Sequence, residues 1–286
     1  MFSFLRSNTL SPEWTFTASG MIWRMLLAEP ERIVGECRDP ERKVASFFCI
    51  DLSLGKPLWK DLVLDEPWWV GIETIQDDVV LLHTFSQPDM PQHRGIRALD
   101  SASGVELWRN DDVSYWFGNR DRVIAYRDFF EKRVGYEMDL RSGALLKTHD
   151  TSLNDLQELR RLNEHQHLPE ALLPEIFTEE GATPPLADII RKETKGKKLA
   201  GKVEYITQRD FFLFNYHVQQ GDSTGESPKL ENNFIVYDLS SGKRIFAKVI
   251  ARDVTGYVPD SFFLKGPLAI FIQDQKTLTA LRLWTS

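Results

Sequence analysis

GIRALDSASGVELW, residues 95–108, holds two short apolar runs on either side of a turn and reads as Ala98-x-Asp100-x3-Gly104-x3-Trp108. Apolar residues alternate into the turn, as they do in a strand with one buried face. Asp100 is placed to accept hydrogen bonds from turn amides, Gly104 supplies a positive φ, and Trp108 gives the outgoing strand a large apolar anchor. The same frame fits Cys49-x-Asp51-x3-Gly55-x3-Trp59 without a gap, and Val236-x-Asp238-x3-Gly242-x3-Phe246 with another aromatic at the last position. Glu137-x-Asp139-x3-Gly143-x3-Lys147 is a weaker copy. Gly55 and Gly104 lie 49 residues apart, Gly104 and Gly143 39, and Gly143 and Gly242 99, so the last interval holds one repeat plus an insertion. Periods of this size mark stacked or radial repeats.

The form A-x-D-x3-G-x3-W resembles the repeat of the quinoprotein-like β-propellers, a group that includes the pyrroloquinoline-quinone dehydrogenases and an outer-membrane assembly lipoprotein. The resemblance covers four short segments. It implies an all-β fold, a β-propeller of four-stranded blades, in repeat families whose members mostly bind other proteins or have no assigned role.

Strand and turn signals give blade one at 21–28, 32–38, 46–51 and 57–62, and blade two at 68–75, 79–85, 95–100 and 105–109. Blade three takes 113–117, 122–127, 133–139 and 144–148; blade four takes 202–207, 211–218, 233–238 and 244–250. Only three strands follow, at 257–264, 268–273 and 277–284, and the missing fourth is the lone strand 13–17. The expectation is therefore a single domain over 1–286: five blades, closed by pairing of the N-terminal strand with the last one near Leu281. Between 151 and 201 the period changes. Leu153, Leu156, Leu159 and Leu162 recur at threes after the possible caps Thr151 and Ser152, and 186–195 forms a second helical run. This predicts a helical insertion at about 151–201 between blades three and four; an eroded sixth blade hidden there is the alternative.

With 42% hydrophobic and 12% aromatic residues, the 286-residue chain can build its core without disulfides or metal. The net charge of −7 argues against a general grip on nucleic acid or acidic lipid. No run approaches 18 apolar residues and no signal peptide is evident, so a cytoplasmic protein is expected. Cys37 and Cys49 fall on adjacent strands out of register, as reduced, buried thiols.

In a propeller the connections from second to third strand and from blade to blade share one face. That face collects 86–94, 219–232 and the insertion 151–201, so a protein partner or small-molecule ligand is expected there. Its candidate residues are Trp68, Trp69, His93, Tyr115, Trp116, His165 and His167. Trp14, Trp59, Trp108 and Phe246 share the outer-strand position and are expected to pack between blades. Glu73 and Glu204 fall on innermost strands, and paired carboxylates are what glycoside hydrolysis needs, so a glycan-active hydrolase is the alternative to a non-enzymatic binding or scaffolding module. His165-x-His167 does not share a helix face, and no pair of cysteines or carboxylates is spaced to complete a metal set with His83, His93 or His217. No metal and no cofactor are expected. Quinone sites in the dehydrogenases commonly use adjacent cysteines and calcium, and Cys37 and Cys49 are not adjacent.

Overall fold

A computed structural model describes residues 10–85, 92–119, 121–150, 154–163, 171–181, 183–221 and 229–285. The chain is all-β and divides into two compact units, Ala18–Pro169 and Met1–Thr17 with Glu170–Ser286.

The first of these units contains three antiparallel sheets, each with its strands in sequence order. One holds β2 (Met21–Ala28), β3 (Arg32–Asp39), β4 (Val44–Asp51) and β5 (Pro57–Leu62). The next holds β6 (Val70–Gln76), β7 (Val79–Phe85), β8 (His93–Asp100) and β9 (Glu106–Asn110). The third holds β10 (Ser114–Asn119), β11 (Arg122–Asp128), β12 (Arg133–Asp139) and β13 (Leu145–His149). Helix α1 (Asn154–Asn163) lays Leu156 and Leu159 on Phe117, Ile124 and Trp116 of the third sheet.

The other unit contains two sheets. β16 (Leu199–Gln208), β17 (Phe211–Gln220), β18 (Lys229–Asp238) and β19 (Lys243–Val254) follow in order, while β20 (Phe262–Lys265), β21 (Leu268–Gln273) and β22 (Thr277–Arg282) are completed by β1 (Pro12–Thr17). Trp14 pairs with Ala280 and Pro12 with Leu281, as expected for the lone first strand. Helix α2 (Pro184–Thr194) packs Ile190 against Phe212, Phe214 and Tyr216.

The strand plan thus matches the expected one, with four differences. β20 begins at Phe262 instead of 257, and Trp68 and Trp69 precede β6. The expected loop 219–232 is mostly strand, because β17 and β18 stay paired out to Gln220 and Lys229. The insertion also carries two unexpected two-residue strands. β14 (Ala171–Leu172) pairs with β20, and β15 (Glu175–Ile176) pairs with β16, each covering an edge that would otherwise be open.

The repeat explains both turn and packing. Asp100 Oδ1 accepts from the amides of Ala102 and Ser103 at 3.1 and 2.8 Å and from the Ser103 hydroxyl at 2.8 Å, and Asp51, Asp139 and Asp238 do the same with their own turns. The Ser103 hydroxyl is the main reason the Asp100 carboxyl titrates below its ordinary range. Gly143 has φ +68, and a Cβ there would lie 2.6 Å from the Trp108 indole, whose N–H donates to Leu140 O at 2.8 Å. Gly104 meets Trp59 in the same way, with its N–H donating to Ser101 O at 2.9 Å. Each tryptophan therefore lies on the glycine of the next repeat, and the glycine serves both the turn and the indole. Phe246 fills the equivalent position in its own sheet by packing on Phe271 at 5.7 Å.

Cys37 and Cys49 are free and buried, opposite Ser46 and Val34. Burial pushes their thiols up, to about 11 and about 12.

Candidate functional site

Three strands of the β6–β9 sheet bring Glu73, His83 and His93 together, with one ligating atom from each within 4.8 Å of the others. Glu73 Oε2 lies 2.8 Å from His93 Nδ1 and 2.9 Å from His83 Nδ1. The imidazoles stack with centroids 3.4 Å apart and planes 7° apart. His83 is buried, the Glu73 side chain is 19% exposed and that of His93 40%.

Two register breaks lie at the cluster. β6 and β7 slip between Ile72 and Thr74, leaving Glu73 as an extra residue, and β7 and β8 slip between Leu82 and Thr84, opposite Gly95 at φ +71. Such bulges re-aim the side chains beside them. Gly71, paired with His83, leaves room for the ring: a Cβ there would stand 3.2 Å from His83 Nε2 and 3.1 Å from Glu36 Oε2. Among the described residues no pair of carboxylates joins the histidines, but Glu73 alone does, and the β7–β8 slip puts His93 on the face of His83, where a regular ladder would set it on the opposite one.

Burial pushes the Glu73 carboxyl up, but the two imidazoles outweigh it and the group ends below its ordinary value. Burial, with the charge of His93, lowers His83 against the raising influence of Glu73. Tyr115 is pushed up by burial and then by the charge of Glu73, which places its phenol near the cluster from the adjoining sheet. Ser114 Oγ donates to the carbonyl of His93 at 3.0 Å.

An aromatic wall borders these groups. Phe85 stands edge-on to His83, His93 and Trp69 at 5.2, 5.5 and 5.9 Å, and Trp69 meets Trp68 at 6.4 Å. The wall is tied to the preceding sheet: Arg38 lies over the Trp68 ring at 5.1 Å and donates to Val70 O at 2.5 Å, while its Nε is 2.6 Å from Glu36 Oε1. Glu36 is buried and accepts the Ile72 amide at 2.8 Å.

Of the candidate face, then, His93 contacts Glu73, Tyr115 feels its charge, and Trp69 and then Trp68 join the cluster through Phe85. Trp116 turns away to pack beside Phe117, Tyr126 and α1. His165 and His167 lie outside the described residues.

Glu204 belongs to a second polar cluster, in the other unit. It pairs with Asn215, and His217 pairs with Asn232, so these four side chains form a patch at one end of the apolar face carried by Ile206, Leu213, Phe234 and Val236. All four are at most 4% exposed. Glu204 Oε1 accepts the Asp260 amide at 3.3 Å, Asn232 Nδ2 donates to Ser261 Oγ at 3.0 Å, and Tyr257 lies edge-on to His217 at 4.9 Å. Burial and the Glu204 carboxylate raise the Tyr257 phenol. His217 Nε2 accepts the Val258 amide at 3.3 Å, so the neutral ring carries its proton on Nδ1, and burial lowers this histidine to about 4. Among the described residues, Glu204 Oε2, Asn232 Oδ1, His217 Nδ1 and both amide atoms of Asn215 have no hydrogen-bond partner.

The sequence reading missed Glu36, Asn215 and Asn232. The signals available for them were polar residues inside otherwise apolar strands.

No helix among the described residues is long and apolar enough to cross a membrane. Residues 28–108 match a family model described as a domain of unknown function, DUF4905, a stretch that includes Glu36, Glu73, His83 and His93. No curated protein matches. Among solved structures, the Dos1 propeller is similar over 93% of this chain and 68% of its own, at 10% identity and a TM-score of 0.31. The β-propeller domain of the Trilobed protease from Pyrococcus furiosus is similar over 94% and 97%, at 7% identity and a TM-score of 0.34. At such low TM-scores these likenesses decide neither the arrangement of the sheets nor an activity.

Proposed function

We propose that the sheets are blades of a quinoprotein-like β-propeller and that the protein is a non-enzymatic binding module. In this reading a partner is held at the end of the sheets where Trp68, Trp69 and His93 lie. The observation that carries it is the contrast between the two ends of the β6–β9 sheet. One end is closed by an Asp/Gly turn locked under an indole, while the other presents half-buried aromatics beside a titratable cluster. Rigid frames with chemistry gathered at one end are the usual build of binding modules. Free thiols raised by burial suit a reducing compartment, and we place the protein in the cytoplasm on that ground.

The glycan-hydrolase alternative has less behind it. Glu204 is 4% exposed on an inter-sheet face, and Glu73 is already hydrogen-bonded to His93 with the His83 ring 2.9 Å away.

Affinity capture from the native cell tests the module. The intact chain and Val105→Arg, altered at the turn end, are expected to retain the same partner, and Trp69→Ala to lose it. Equal capture by all three overturns the reading.

A further inference from the structure

We propose that Glu73, His83 and His93 bind a first-row transition dication of the zinc class, with at least one coordination position left open toward solvent. This does not rest on the binding-module reading.

Two imidazole nitrogens and one carboxylate oxygen come from three neighbouring strands and converge within 4.8 Å. Such a mixed nitrogen and oxygen set suits zinc, cobalt or nickel better than calcium or magnesium, which favour all-oxygen cages. His83 supplies the second indication. Its residue is 5% exposed, and its Nδ1 sits 2.9 Å from Glu73 Oε2, yet the contact lacks hydrogen-bond geometry and the nitrogen has no other partner among the described residues. A buried ring nitrogen 2.9 Å from a carboxylate oxygen but off hydrogen-bond geometry is satisfied by a cation that ligates both.

The buried Glu36 carboxylate, already paired with Arg38 at 2.6 Å, lies on the Nε2 side of His83, close to the position a Gly71 Cβ would take. Tyr115 stands near Glu73 and is kept protonated by burial.

One adjustment is required. With the rings parallel at 3.4 Å, the two Nδ1 lone pairs lie in parallel planes and cannot both point at one ion. His93 must rotate about its side-chain bonds. It is the ring free to do so, 40% exposed at the first residue of β8, whereas His83 is held by burial. The open side of the ion then faces solvent past His93, where water completes the coordination.

The test uses the full chain stripped with chelator and titrated with Co²⁺ and Zn²⁺. Expected results are saturation at one equivalent, visible Co²⁺ d–d bands typical of four or five ligands, and displacement of those bands by Zn²⁺. His93→Ala, whose ring is partly exposed, is expected to fold as judged by circular dichroism and to weaken binding at least about tenfold. Glu73→Gln is expected to do the same, and His149→Ala, in another sheet, to leave binding unchanged. Absence of saturable binding overturns the proposal and leaves the cluster as a hydrogen-bonded pair of histidines on a carboxylate. Retention of full affinity by His93→Ala, or its loss in a variant altered only at His165 and His167, also overturns it.

Discussion

The β6–β9 and β16–β19 sheets share one plan and diverge at the same place. In both, the Asp of the repeat pairs with the first residue of the second strand, Asp100 with Val79 and Asp238 with Phe211. Four residues further along, one sheet carries His83 and the other Asn215. Around His83 the backbone bulges, a histidine from the third strand stacks on it, and the cluster is partly open. Around Asn215 the ladder from β17 to β18 is regular, and His217 spends Nε2 on a backbone amide, leaving a proton on Nδ1. Ion binding at these two polar clusters is thus decided by which ring nitrogen is already engaged and by access, more than by which residue types are present.

The comparison can be broken most sharply at the frame the two sheets share. Trp108→Ala removes an indole seated on Gly143 and a hydrogen bond to Leu140, and should cost about 3 to 5 kcal/mol in chemical denaturation. Phe246→Ala should cost about 1 kcal/mol less, since it has no ring N–H to lose. Equal costs would mean that the indole hydrogen bond contributes nothing.

The glycines separate conformation from contact. Gly242 has φ +64 and nothing within 4 Å of its would-be Cβ, so Gly242→Ala should cost about 1 to 2 kcal/mol for the left-handed backbone alone. Gly143→Ala should cost about 3 kcal/mol or more, because its Cβ would also meet Trp108. Matching values would show that the indole moves aside freely.

His217 sharpens the contrast between the clusters. Its folded pKa of about 4 lies below the ordinary value of 6.5, so the unfolded chain binds the proton first. Stability should therefore be complete above about pH 6.5 and fall by roughly 2 to 3 kcal/mol as pH drops toward 4, and His217→Gln should flatten that window. An unchanged profile in the variant would assign the acid sensitivity elsewhere. The smallest effect concerns rate alone: with thiols at about 11 and about 12, alkylation at pH 8 should be slow until denaturant is added.

How much of this was legible follows from what each feature needs. Strands could be read because period-two patterns end at Asp and Gly turns whose chemistry is local, and α1 and α2 could be read from the change of period. The bulges could not. Glu73, His83 and His93 are ten residues apart at each step, and the register slip at Leu82–Thr84 is what turns His93 onto the face of His83. Gly95 was the available clue, a glycine at the head of a strand with no turn to explain it. Ala171–Leu172 and Glu175–Ile176 carry no strand signal of their own, because the free edges of β20 and β16 impose the conformation.

The pairing of β1 with β22 also dictates when the molecule can be finished. Among the described residues, four of the five sheets can be assembled from neighbouring stretches as the polypeptide grows. The remaining one waits with its first-made strand in hand until residues near 282 have been synthesised. Until then Trp14 and Phe16 lack the β22 ladder beside which they are buried in the finished sheet, which leaves this apolar strand open to capture by chaperones or by other nascent copies.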